Sequence, residues 1–179
     1  QIFTFWTTLS PQTPFKGIYE LPPGHFMHVK NGSVRIQKYW QLKFPHAKQH
    51  DSADFSSKVS ELNELLTDAV KIRLRADVPV GAYLSGGLDS SVTTALIHQI
   101  DPGVLNTFSI GFKEKAFDET AYQQEVAKYF NTNHTAFECT SQDIADAFEK
   151  TIWHSEFPIL RTSPTPMYLL SKKVRESNI

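Results

Sequence analysis

The sequence has 179 residues, enough for one domain or parts of two, and its 40% hydrophobic and 21% charged residues are those of a chain that buries a core. With 18 Lys+Arg against 19 Asp+Glu the net charge is −1, which leaves no basic field to gather nucleic acid or an anionic membrane, and no apolar run reaches the roughly 18 residues of a bilayer span. The single cysteine, Cys139, excludes an intrachain disulfide and fits a reducing compartment; residues 1–6 lack a signal-peptide layout, so a cytoplasmic protein is expected, and a first residue other than Met points to a fragment.

Residues 25–40 read as a β-hairpin turning at Asn31-Gly32, because both turn residues must tolerate positive φ, with Val34 and Ile36 at strand period. Pro22-Pro23-Gly24 punctuates its start. The polar stretch after Phe44 places a domain boundary near residues 44–53. From residue 54 the spacing of Phe55, Val59, Leu62, Leu66 and Ala69 predicts a helix with one face packed inward, and Asp51, Ser52 or Asp54 is its N-cap. A short strand at residues 80–84, a Gly/Ser turn and a helix through Ile97 follow, then a strand at 105–112. Next come an amphipathic helix through Tyr122, Val126 and Phe130, a strand near 134–138, a helix at 143–154 with Ile144, Phe148 and Ile152 inward, and a helix at 166–176. Strands alternating with helices predict an α/β fold, a mainly parallel sheet with helices on both faces. No internal repeat or low-complexity tract interrupts it.

The chemistry lies in Ser85-Gly86-Gly87-Leu88-Asp89-Ser90-Ser91, between the first strand of that sheet and its helix. Paired glycines let backbone N–H groups approach a ligand, and the helix behind them aims unpaired donors and its positive dipole end at the same point. An anion belongs there. The hydroxyls of Ser85, Ser90 and Ser91 suit the many oxygens of pyrophosphate. A carboxylate beside phosphate is repulsive unless a cation lies between, so Asp89 points to Mg²⁺. No Gly-Lys-Ser/Thr ending is present, which argues against γ-phosphoryl transfer of the Walker type. An ordinary Gly-rich turn with a Ser or Asp helix cap is the plainer reading of Gly-Gly alone; the seven-residue string in its strand–loop–helix setting favours the ligand.

That string is similar to the pyrophosphate loop of the N-type ATP pyrophosphatases, and its flanks resemble the glutamine-dependent asparagine synthetase family. The flanks are Leu21-Pro22-Pro23-Gly24-His25, Tyr39-Trp40, Arg75-Ala76-Asp77-Val78-Pro79-Val80-Gly81, Phe108-Ser109-Ile110-Gly111-Phe112, Phe117-Asp118-Glu119 and Thr165-Pro166-Met167-Tyr168-Leu169-Leu170-Ser171. The resemblance implies an adenine nucleotide alpha hydrolase-like sheet. Residues 1–44 would be the C-terminal end of an Ntn-type glutaminase domain, and residues 54–179 the N-terminal part of an ATP-binding synthetase domain. It implies ATP and Mg²⁺ at the loop, with aspartate and glutamine or ammonia as the other substrates. The aspartate carboxylate would attack the α-phosphorus of ATP to give β-aspartyl-AMP and pyrophosphate, and ammonia would then displace AMP. By the same match Leu84 and Ile110 would contact adenosine, Leu88 lies within the loop, and Arg161 would sit near the acyl-adenylate. No nucleic-acid or membrane partner is implied, and there is room for a homodimer of the full-length protein.

The chain departs from the family pattern in beginning at Gln1 rather than at a nucleophilic cysteine, and in stopping before the family's Ser-Gly-Glu/Asp-Gly loop and catalytic lysine. Both are expected in a longer reading frame. The segment Phe157-Pro158-Ile159-Leu160 also differs from the Thr-containing version. A β-lactam synthetase sharing the loop and a non-catalytic adenine-nucleotide module remain the rival readings. Elsewhere plainer roles are expected. Cys139 reads as structural, His46 and His50 as loop residues, Trp153 and His154 as helix packing, and Asp118-Glu119 as a helix cap or a nucleotide contact.

Overall fold

A computed structural model describes residues 1–46, 53–114 and 118–179. His50, the cap candidates Asp51 and Ser52, the centre of the expected 44–53 boundary and Phe117 of the Phe-Asp-Glu string lie outside the described residues. The chain divides into two compact units. One holds residues 1–52 with 152–160, the other residues 53–151 with 161–179.

The first unit contains a one-turn helix, α1 (Ile2–Phe5), and a hairpin of β1 (His25–Lys30) and β2 (Ser33–Lys38). Asn31 and Gly32 take φ of 50° and 77°, the left-handed pair that a two-residue hairpin turn requires, and Val29 pairs with Val34 across it. Val29, Val34 and Ile36 are nonetheless exposed.

The second unit opens with α2 (Phe55–Arg73). Of the three cap candidates Asp54 does the work, accepting the Ser57 N–H at 2.9 Å. The inward face expected of this helix is not observed: Phe55 is 84% exposed, and Val59, Leu62 and Leu66 are exposed too. Only Val70, with Leu74 just past the helix, packs on the core, because α2 meets the rest of the unit through α3 (Leu88–Ile100).

The sheet is wholly parallel, in the order β3 (Gly81–Tyr83), β4 (Asn106–Phe112), β5 (Asn133–Cys139). The connections are α3 and α4 (Thr120–Tyr129), as parallel neighbours demand. Helices cover both faces. Ala82 packs with Ile97 of α3, while the next side chain, pointing the opposite way, carries the Tyr83 hydroxyl to 3.1 Å from Ser171 of α6 (Pro164–Glu176). Consecutive burial of Thr107, Phe108 and Ser109 on the central strand follows from that double cover.

Two other helix faces are turned from their expected positions. On α4 the buried residues are Gln123 and Ala127, while Tyr122 is exposed. On α5 (Ser141–Ser155) they are Ala147 and Thr151, with Ile144 and Phe148 half-buried and Ile152 exposed. The apolar spacing located each helix, but a buried amide and a buried hydroxyl took positions expected for larger hydrophobes. Trp153, expected to pack, is 80% exposed and borders an apolar hollow of about 950 Å³ in the first unit with Phe15, Ile18 and Phe157.

Candidate functional site

The carboxyl ends of β3, β4 and β5 lie side by side, the edge at which open parallel sheets take their ligands. At that edge β3 separates from β4. The Leu84 N–H still donates to the Phe108 carbonyl at 2.8 Å, and then the chain leaves the ladder into the loop at residues 85–87. Gly86 permits the departure in two ways. Its φ is +83°, and a Cβ there would stand 2.8 Å from Tyr122 Cβ and 2.9 Å from the Gln123 nitrogen.

The loop then enters α3 with Gly87 as N-cap, and no side chain caps the helix. Gly87 has no side chain with which to cap, and neither a Ser nor an Asp stands at that position. The first-turn N–H groups point outward from an uncapped N-terminus, where the helix dipole adds positive potential. Asp89 stands exposed in that turn. A single carboxylate beside a helix N-terminus is compatible with Mg²⁺, which ordinarily takes one or two carboxylates and completes its shell with phosphate oxygens and water. Among the described residues no cluster of three or more His, Cys, Asp or Glu could hold a metal by itself.

The serines are organised toward the loop itself. Ser90 and Ser91 hydroxyls donate to the Gly87 carbonyl at 3.1 and 2.8 Å, and Ser85 Oγ lies 3.0 Å from Ser90 Oγ. Ser85 Oγ also accepts the Gly87 N–H, at 3.3 Å. These bonds join the serines to the turn itself.

The remaining expected residues are spread more widely. Leu84 is 0% exposed, so the side chain belongs to the core and a ligand meets at most its backbone. Leu88 is 79% exposed at the start of α3. Ile110 is half-buried on β4. Beside it, a hollow of about 300 Å³ opens between Gly111, Phe112, Ala136 and Phe137, with Asp118 and Glu138 at its border. Asp118 accepts from the backbone N–H of Thr120 at 3.1 Å and from its hydroxyl, and these bonds hold its carboxyl below the usual carboxylate range. Of the pair Asp118-Glu119, the first therefore ties down the start of α4. Arg161 is exposed, three residues before α6.

One residue at this edge escaped the sequence reading. Gln123 is 2% exposed; its Nε2 donates to the Ile110 carbonyl at 3.0 Å, and its Oε1 is buried without a partner. The available signal was its place four residues before Ala127 on the buried row of α4.

The family model described as asparagine synthase matches residues 61–179, well over half of the chain and all of the loop. The chain belongs to the asparagine synthase family. A Methanocaldococcus jannaschii protein provisionally named a glutamine-hydrolysing asparagine synthetase is 36% identical, over 93% of this chain and 32% of its own length. The Penicillium rubens protein named amidase chyE is 31% identical, over 84% of this chain and 25% of its own. A Bacillus subtilis glutamine-hydrolysing asparagine synthetase is 25% identical, over 98% and 27% respectively. The chain thus spans about a third or less of these relatives. As an asparagine synthase family member it has the expected α/β architecture, with the separate hairpin preceding the sheet. No described helix is long and apolar enough to cross a membrane.

Proposed function

We propose that this chain carries the ATP-binding part of an asparagine synthetase, a carbon–nitrogen ligase that adenylates the side-chain carboxylate of aspartate and amidates it with glutamine-derived ammonia. On this reading residues 1–44 close a glutaminase domain, residues 54–179 begin the synthetase domain, and the protein works in the cytoplasm. The observation that carries it is the uncapped α3 N-terminus behind a glycine-turned loop at the carboxyl edge of a parallel sheet. In such a reaction the leaving pyrophosphate gains charge in the transition state. Donors already fixed in place stabilise that charge without reorganising.

The α3 backbone N–H groups bind the β- and γ-phosphates, while Ser85, Ser90 and Ser91 keep the turn in shape. Gly86 and Gly87 let phosphate approach the backbone, and Leu88 shields the loop from its exposed place on the first turn. Asp89 would hold Mg²⁺, whose chemistry here is to neutralise charge on the phosphates. Adenosine lies along β4 by Ile110 and the backbone of Leu84, next to the hollow at Gly111 and Phe137. Arg161 steadies the negative acyl phosphate.

Aspartate-dependent exchange of labelled pyrophosphate into ATP, measured on the full-length protein, tests the reading. Asp89→Asn keeps the side chain's shape and loses its charge, so exchange should fall at least about a hundredfold while the fold is retained. Exchange near the wild-type rate would remove the metal role. The similarity to an amidase favours one further reading, a related acyl-adenylate ligase with another acceptor. In that case exchange would depend on a different carboxylic acid.

A further inference from the structure

Where β3 leaves the sheet, β4 goes on paired with β5 alone, and its carbonyls on the β3 side lose their backbone partners. Phe108 receives the last of them, the Leu84 N–H. Two residues on, the Ile110 carbonyl faces the same side and is taken instead by Gln123 Nε2 at 3.0 Å. A side-chain amide thus supplies the rung that the strand no longer supplies. Its orientation is settled by that bond, since turning the amide over would set Oε1 against the Ile110 oxygen. Oε1 is then left buried with no donor, on a residue only 2% exposed. A buried, unfilled acceptor is costly, and the helix row it occupies would accept an apolar residue such as Ala127 four positions on.

The loop packs against the start of α4 and carries donors that can move. Gly86 lies directly on the Gln123 backbone, closely enough that a Cβ would be 2.9 Å from its nitrogen. The donors of the turn are loosely held: the Ser85 N–H reaches Ser90 Oγ at 3.2 Å and the Gly87 N–H reaches Ser85 Oγ at 3.3 Å. Successive N–H groups in a sharply turned segment point to different sides, so an anion can engage one while its neighbour faces α4. We infer that Gln123 is a positioning residue of the phosphate loop, whose buried Oε1 accepts a backbone N–H from residues 85–87 when an anion fills the loop. The inference rests on the phosphate-binding reading of that loop. It makes Gln123 the link through which β4 and α4 sense occupancy of the loop.

Calorimetric titration of the full-length protein with magnesium pyrophosphate and with magnesium ATP tests it. Gln123→Met keeps the length of the side chain and removes both the Oε1 acceptor and the Nε2 donor to Ile110. The lost bond to Ile110 should lower the unliganded melting temperature, and the Kd should rise about three- to tenfold for both probes at a temperature where the variant is fully folded. A variant with wild-type Kd for both would overturn the inference and leave the loop reading standing, whatever its melting temperature. Weakening toward ATP alone would also overturn it, by putting the donor on the nucleoside. Wild-type protein that binds neither probe would overturn the loop reading and this inference together. Crystals of the wild-type protein with magnesium pyrophosphate need no variant: an N–H of residues 85–87 within about 3.2 Å of Oε1 is expected, and an unpartnered Oε1 beside a filled loop would overturn the inference.

Discussion

At Gly86 a positive φ and a close approach coincide, and each alone would exclude most side chains. Gly86→Ala should cost about 1–2 kcal/mol for the left-handed backbone. The added methyl must also displace Tyr122 or the start of α4, and with it the loop. Urea denaturation should register the loss of stability, and titration with pyrophosphate should show binding weakened by more than stability alone explains. Unchanged binding would mean that the loop does not need its present shape. His134 offers a test of a different kind. Its Nδ1 lies 2.9 Å from Thr107 Oγ1 and its Nε2 3.1 Å from Ser109 Oγ, so both nitrogens meet hydroxyls. Burial holds its pKa below the ordinary value of 6.5. The native state therefore binds that proton less readily than the unfolded chain. Its contribution is complete above the unfolded value and is lost as pH falls from there through the folded one. Urea midpoints should fall between about pH 7 and pH 5 in wild-type protein, and that fall should be smaller in His134→Gln. Equal slopes would remove His134 from the account. Asp54, Asp118 and Asp143, whose carboxyls are held low by hydrogen bonds, act only at more acid pH.

Among the elements, α2 shows how cap and face can be decided by different things. Its N-terminus depends on Asp54, which accepts from the Ser57 N–H and also from the hydroxyls of Ser56 and Ser57. Asp54→Ala should destabilise the helix, visible as earlier loss of far-ultraviolet helical signal on heating. A variant melting with wild type would show that α2 is held at its other end alone. Local chemistry of this sort was legible: the Asn31-Gly32 turn, the Asp54 cap and the strand–loop–helix around Gly86 follow from backbone preferences of the residues themselves. Which face a helix buries was less so. Apolar spacing on α2 predicted a packed stripe, and on α4 it named Tyr122 in place of Gln123, because period reveals a face but not the partner that meets it. The site divides in the same way. The loop was legible as a string and the Ser90 and Ser91 bonds to Gly87 are local to it, whereas the buried Gln123 amide depends on Ile110 of another element.

Over the whole molecule, apolar side chains remain on the surface of both units, on the hairpin at Val34 and Ile36 and on α2 at Phe55 and Leu62. Apolar patches of this kind are interaction surfaces or aggregation liabilities. The relatives are about three to four times as long, so they have ample chain with which to cover the corresponding surfaces. The fate of Cys139 is the opposite. It is completely buried at the end of β5, its thiol donates toward the Thr140 carbonyl, and burial with the charges of Asp143 and Glu114 pushes its pKa up. Little thiolate forms, and no reagent reaches it. Chemical labelling can therefore assign the two halves of the proposed reaction separately. In native full-length protein a maleimide or a glutamine-mimicking electrophile should leave Cys139 unmodified, so any label on this chain's segment would have to follow unfolding. Peptide mapping should find Cys139 alkylated only after denaturant is added. Modification of Cys139 in the folded protein would show that β5 opens, and would make every thiol-directed assay of the glutaminase half ambiguous.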